Sequence, residues 1–308
     1  MIRILTSLCL SIFSIAITFA QVKSEEININ NMAIQLPGTL TYSSENQPLI
    51  IWVHGSGPVD RNGNQPAQNV KANYIKQFRD AVNNEGIAFF SYDKRTANSK
   101  NTPFLSDGIL ITDFILDAKE VVNYFKNDER FSEIILVGHS QGSLIAMLAI
   151  ENVDKYISIA GAGESVNKTL VKQINKQSIE IGKIAEEQFK ELKETGDIKE
   201  VNPNLLALLS KPNQPFFASW MALNPLEEIK KINIPILIIN GTKDMQVKVD
   251  DAKALHAAKP TSELVIIENM NHVLKDIQKE EDNLKSYFSA EYPLSTKLTE
   301  TIVSFVKK

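Results

Sequence analysis

The 308 residues contain a single cysteine, Cys9, and only four histidines. Cys9 falls within an N-terminal segment that reads as a cleaved leader, so the chain beyond it carries no thiol. Disulfides, thiolate catalysis and cysteine-based zinc sites are therefore excluded together. The histidines show no H-E-x-x-H spacing, and no metal is expected. There is no P-loop, and no G-x-G-x-x-G follows an apolar run, so the expected cofactor set is none. An excess of charge of one sign is lacking too. With 33 Lys and Arg against 37 Asp and Glu, the formal charge is −4 and both signs mix along the chain. Such a surface has no electrostatic reason to seek nucleic acid or anionic lipid. Repeats and low-complexity runs are also missing. What remains is 43% hydrophobic and 23% charged, ordinary for one large domain or one domain with an insertion. A chain of this length buries roughly three quarters of its unfolded surface without staples.

Residues 1–20 stand apart. Arg3 supplies a positive start, Ile4 to Phe19 is apolar apart from Ser and Thr, and Thr18-Phe19-Ala20 ends in small residues at −3 and −1. That pattern predicts an export signal cleaved after Ala20, with an uncleaved membrane anchor as the alternative. Cleavage removes Arg3 and no acid, which takes the charge from −4 to −5. A cysteine-free exported chain fits a bacterial periplasm better than a disulfide-dense secretion. After cleavage no membrane association is expected, and the oligomeric state is left open.

From Leu49 onward, short apolar runs alternate with helical patterns. The runs are 49–53, 87–90, 134–137, 156–159, 234–239 and 264–267, rich in β-branched residues and apolar on both faces. They predict parallel strands covered on both sides. Between them Tyr74–Val82, Phe114–Phe125 and Leu144–Ala149 repeat at three and four residues. Together they predict an α/β fold with a doubly wound, mostly parallel sheet. Met32–Tyr42, with Pro37-Gly38, reads as an antiparallel edge hairpin. Residues 164–226 break the rhythm. No strand is evident there, and Leu170, Ile174, Ile181, Ala185, Phe189 and Leu192 mark one face of a long amphipathic helix. This predicts an inserted helical cap. The apolar run Pro215–Met221 either packs the cap onto the core or lines a pocket.

Gly138-His139-Ser140-Gln141-Gly142 follows one predicted strand and opens a helix. G-x-S-x-G places Ser140 on a sharp strand-to-helix turn where flanking side chains would clash. The next backbone amide then stands at a helix N-terminus. A serine needs a base, and the base needs an orienting acid. Asp244 and His272 lie directly beyond two later strands, where an open α/β sheet places its ligands. The chain order Ser140, Asp244, His272 is the order this arrangement requires. Asp250 and Asp251 read as first-turn helix charges, and His256 as structural or surface. An oxyanion hole needs two donors. The amide of Gln141 is the first candidate. The amide of Ser56, in His54-Gly55-Ser56-Gly57-Pro58, is the second, with Gly57 as fallback. His54 reads as a residue that fixes this loop.

From Leu49 to its end the chain resembles the α/β-hydrolase superfamily. His-Gly-Ser-Gly-Pro-Val-Asp-Arg (54–61), Tyr92-Asp93-Lys94-Arg95 and Leu284-Lys285-Ser286-Tyr287 resemble its serine-aminopeptidase-like or dienelactone-hydrolase-like branch, in which many members are esterases on small acyl groups. The resemblance implies an α/β-hydrolase fold, with Ser140, Asp244 and His272 as triad and Ser56 and Gln141 as oxyanion donors. The chain departs from the branch at Thr96-Ala97-Asn98, where Gly and small residues are usual. Asp60, Arg61 and Arg95 are expected to hold the oxyanion loop as one charged network. The expected function is cleavage of carboxylic esters, with a small-molecule ester or peptide as substrate. Two alternatives stand beside it. One is an aminopeptidase or amidase using Glu164, Glu186 or Glu187 for a free amine. The other is a catalytically silent binding protein on the same scaffold.

Overall fold

The computed structural model describes residues 21–308. The leader expected over residues 1–20, and Cys9 with it, lies outside them. The strands are β1 (Lys23–Asn31), β2 (Ile34–Tyr42), β3 (Gln47–Val53), β4 (Ala88–Tyr92), β5 (Phe131–His139), β6 (Lys155–Ile159), β7 (Ile236–Gly241) and β8 (Glu263–Ile267). They form one eight-stranded sheet in the order β1-β2-β4-β3-β5-β6-β7-β8. β2 runs antiparallel to both its neighbours, and every other pair is parallel. The winding reverses between β3 and β5, so the crevice beyond the ends of those two strands is the natural ligand site.

The helices are α1 (Tyr74–Asn84), α2 (Ile111–Phe125), α3 (Gln141–Met147), α4 (Val166–Asn175), α5 (Ile179–Thr195), α6 (Leu206–Leu209), α7 (Gln214–Met221), α8 (Pro225–Lys230), α9 (Val249–Ala258), α10 (Glu280–Asn283) and α11 (Thr296–Val306). The period of two along β3 divides its side chains between two cores. Leu49, Ile51 and Val53 pack with Phe114, Val121 and Leu144 of α2 and α3. Ile50 and Trp52 pack with Phe78 and Val82 of α1 and with Leu298 and Ile302 of α11. Each such large side chain contributes about 1.5–3 kcal/mol on burial.

Two expectations are corrected. The hairpin is longer and lies earlier than the Met32–Tyr42 reading. It joins β1 to β2 through Met32, whose φ is 53°. Pro37 and Gly38 are not its turn; they lie inside β2 opposite Asn28 and Ile27. Gly38 is there because the Phe90 ring crosses it: a Cβ would stand 2.4 Å from that ring. The single long helix is two, α4 and α5. Ser178 caps the second, its Oγ accepting from the Ile181 amide at 3.3 Å. Gly182 lets α5 cross close to α4, since a Cβ there would stand 1.9 Å from Asn175 Oδ1.

Between β6 and β7 the chain is helical or irregular throughout. Val166, Ala185, Phe189, Leu192, Leu209 and Phe217 form a hydrophobic cluster of their own there. The last helix before β7, α8, packs differently: Ile229 belongs to the sheet's core.

Candidate active site

The sharp turn predicted after β5 is present. Ser140 has φ 55° and ψ −122°, a strained conformation for a side chain with a Cβ. The flanking glycines are sterically required. A Cβ on Gly138 would lie 2.4 Å from the Gly142 carbonyl oxygen, and one on Gly142 would lie 2.2 Å from that of Val53. The second contact brings the start of α3 against the end of β3. The loop after β3 presses on the turn as well: a Cβ on Gly55 would stand 3.1 Å from Ser140 Cβ. Ser56 and Gln141 thus come from the two strands where the winding reverses, and both line the cavities beside Ser140.

Asp244 follows β7 and His272 follows β8; both are buried. His272 Nδ1 donates to Asp244 Oδ2 at 2.8 Å. The other carboxylate oxygen accepts the amides of Gln246 and Val247 at 2.7 and 2.9 Å. Burial alone would push the Asp244 carboxyl up. The charge and hydrogen bond of His272, with the two amides, outweigh it and hold the group below its usual range. A proton on Nδ1 leaves the Nε2 lone pair of His272 free to act as a base. The Ser140 hydroxyl, half-buried, makes no hydrogen bond to that ring among the described residues. Such a link commonly tightens only with substrate in place.

Several supports carry no local sequence signal. His139 Nε2 donates to the His272 carbonyl at 2.8 Å, and burial, reinforced by the charge of His272, pushes its pKa down to about 3. Asn271 Nδ2 donates to Asn283 Oδ1 and Ser286 Oγ at 3.1 and 2.7 Å. Asn283 Nδ2 donates to the Lys243 carbonyl at 2.9 Å. One buried amide cluster therefore ties the loop of Asp244 to the loop of His272. Lys94 is 4% exposed, and its Nζ donates to Gly55 O and Gln141 Oε1, both at 2.7 Å.

The expected network of Asp60, Arg61 and Arg95 separates into three. Arg61 forks onto Asp93 at 3.0 and 2.9 Å and also meets Glu26. Arg95 forks onto Asp117 at 2.7 and 2.8 Å. Among the described residues Asp60 pairs with no cation; it accepts the amides of Asn62 and Asn64, both at 2.8 Å, and closes its own turn. The three are apart because each arginine finds a nearer carboxylate on another element. His54 fixes nothing through hydrogen bonds. Its ring nitrogens have no partner among the described residues, and it packs edge-on against Tyr92 at 5.1 Å. Asp250 and Asp251 open α9, as expected. His256 lies in that helix and bonds Ser262 Oγ at 2.9 Å.

The crevice has two lobes that share Ser56, Gln141, Leu170 and Trp220. The larger, about 690 Å³, is walled by Phe114, Phe216, Phe217 and Trp220. The smaller, about 180 Å³, holds Ser140 among Glu164, Thr169, Gln173 and Gln246. Glu186 and Glu187 are exposed on α5 and line neither. The run 215–221 therefore does both things expected of it. Phe217 and Met221 pack the cap, while Phe216, Phe217 and Trp220 line the larger lobe.

This architecture recurs in solved structures. Est1E from Butyrivibrio proteoclasticus aligns over 92% of this chain and 99% of its own, at TM-score 0.57 and 17% identity. The Pyrococcus furiosus esterase Pf2001 aligns over 92% and 90%, at TM-score 0.59 and 17% identity. An acylaminoacyl peptidase from Pyrococcus horikoshii aligns over 93% of this chain but 41% of its own, at TM-score 0.57 and 13% identity. At these identities the likeness is one of fold, and the fold is that of the α/β-hydrolases. No curated protein matches by sequence. A family model does: BD-FAE matches residues 32–258, from the turn between β1 and β2 to the end of α9, and the chain belongs to the BD-FAE family.

Proposed function

We propose that the protein is a serine hydrolase that cleaves carboxylic esters through an acyl-enzyme. The observation that carries this reading is the buried Asp244–His272 pair, joined at 2.8 Å, beside the strained turn of Ser140. Ser140 Oγ attacks the ester carbonyl while His272 Nε2 takes its proton. Asp244 keeps the imidazole proton on Nδ1 and stabilises the imidazolium that forms. The amides of Ser56 and Gln141 receive the oxyanion. Collapse expels the alcohol, which leaves with the proton from His272. Water then repeats the sequence on the acyl-enzyme and releases the acid and free Ser140. Glu164 stands in the smaller lobe and supports a second reading, peptide or amide cleavage, although Lys172 pairs with it at 2.7 Å.

The two lobes suggest how a substrate divides. The aromatic walls of the larger suit an aryl or other flat apolar acyl group, and the smaller, where Thr169, Gln173 and Gln246 stand among apolar residues beside Ser140, is left for the alcohol. A solved structure of Est1E has ferulic acid bound, which agrees with an aryl acid here. Residues 1–20 are proposed as an export signal, so the intact mass of the exported protein is expected to begin at Gln21. The deciding assay compares aryl and alkyl p-nitrophenyl esters with aminoacyl p-nitroanilides, using wild type and Ser140→Ala. Ester turnover is expected in wild type alone, with aryl acyl groups preferred. Anilide turnover without ester preference would replace the esterase reading by the peptidase one. Absence of both, with no fluorophosphonate label on Ser140, would leave a binding protein.

A further inference from the structure

A lysine buried beside an oxyanion site is costly, because its ammonium has left water. Burial pushes the Lys94 ammonium down to about 7, and it is held by two acceptors: one lies on the peptide unit that carries the Ser56 amide, the other on the side chain of Gln141. Its bond to Gly55 O at 2.7 Å holds the peptide unit whose other end is the Ser56 amide. That unit is planar and trans, so fixing its oxygen fixes the direction of its N–H, which points the opposite way. A cation at the oxygen also polarises the unit and makes its N–H a stronger donor. The bond to Gln141 Oε1 at 2.7 Å pins the side chain of the other donor residue at the start of α3. Lys94 Nζ also lies 4.4 Å over the Phe114 ring, on the wall of the larger lobe.

We infer that Lys94 is a positioning residue for the oxyanion hole: one ammonium locks the Gly55–Ser56 peptide and Gln141 in the orientation that receives the tetrahedral intermediate. The inference rests on the hydrolase reading above. It assigns Lys94 no contact with substrate. Loss of Lys94 is therefore expected to weaken stabilisation of the transition state while ground-state binding is kept.

The test begins with wild type, whose ester turnover and fluorophosphonate labelling of Ser140 decide the hydrolase reading on their own. If both are absent, that reading fails. If both are present, Lys94→Met is compared. The expected result is a folded variant whose kcat falls about 30-fold or more, since one oxyanion donor is typically worth about a hundredfold or more. Its KM should stay within about threefold, and the rate of fluorophosphonate labelling should fall in step with kcat. In Lys94→Ala the vacated space opens on the larger lobe, and added propylammonium is expected to restore part of kcat without affecting wild type. A merely structural lysine gives no such rescue. If Lys94→Met does not fold, Lys94→Gln is judged by the same criteria. A folded variant with kcat within about threefold of wild type overturns the inference. So does a raised KM at unchanged kcat, which would make Lys94 a substrate contact.

Discussion

Two histidines are kept uncharged by burial, and that governs how the protein meets acid. His139 and His54 are both pushed down to about 3, first by burial and then by a neighbouring charge, that of His272 for one and of Lys94 for the other. In the unfolded chain each regains its ordinary value near 6.5. Between those limits the unfolded state binds more protons than the folded one, so stability falls as pH falls from about 6.5 towards 3. Each group contributes at most about 1.4 kcal/mol per pH unit to that slope. Among the described residues the His54 ring nitrogens have no hydrogen-bond partner within bonding distance, and the ring lines neither lobe, so His54→Leu removes one titration at little cost in packing. Thermal melts at neutral pH and near pH 4.5 are expected to show a smaller loss of Tm in the variant than in wild type. Equal losses would mean that His54 does not resist protonation.

The same residues mark where the sequence was readable. Ser140, Asp244 and His272 each follow an apolar run directly, so local spacing was enough to single them out as candidates. Lys94, His139 and the Asn271–Asn283–Ser286 cluster act through partners on other elements. Lys94 reaches Gln141 across 47 positions and His139 reaches His272 across 133. No periodicity encodes such a meeting. The sequence pointed to Lys94 only through its place in Tyr92-Asp93-Lys94-Arg95, a phrase that assigned it no role.

At the scale of elements, the strands buried on both faces were legible because continuous β-branched runs have few other uses. The edge hairpin was misplaced because Pro-Gly is ordinarily turn chemistry. Only the packed structure reveals Phe90 over Gly38. The cap was read as one helix because a helical period of apolar residues survives a short break. Ser178 and Gly182 were the missed signals, one a cap and the other a close crossing. That crossing makes a prediction. In Gly182→Val the new Cβ displaces the Asn175 side chain, and the Asn175 Cα, 3.1 Å from that Cβ, resists further shift. Overpacking of this kind costs about 1–3 kcal/mol. Denaturant unfolding is expected to show that loss, with a larger fraction of α5 amides exchanging early. Unchanged stability would mean that α4 and α5 can separate freely.

Considered whole, the molecule has a sheet layer with its own cores and a helical insertion with another, and the crevice lies between them. Phe216 and Trp220 of α7 are the side chains that pack against both the sheet's cluster and the cap's. Phe216 meets Phe114 of α2 edge-on at 6.1 Å, and the Ile111 amide donates to Ser219 Oγ at 3.0 Å. Helix α7 is therefore the strut through which the cap holds the larger lobe in shape. Removing both rings in Phe216→Ala/Trp220→Ala should loosen the cap while leaving the sheet intact, because the sheet's central side chains lie beneath α1, α2, α3 and α11 instead. Hydrogen exchange is expected to quicken in α4, α5 and α7 and to stay slow in β3, β5 and β7. Ester hydrolysis should lose affinity more than rate: Ser140, Asp244 and His272 sit on the sheet, whereas the aromatic wall is gone. If exchange quickened equally in the strands, cap and sheet would be a single cooperative unit, and α7 would be core instead of strut.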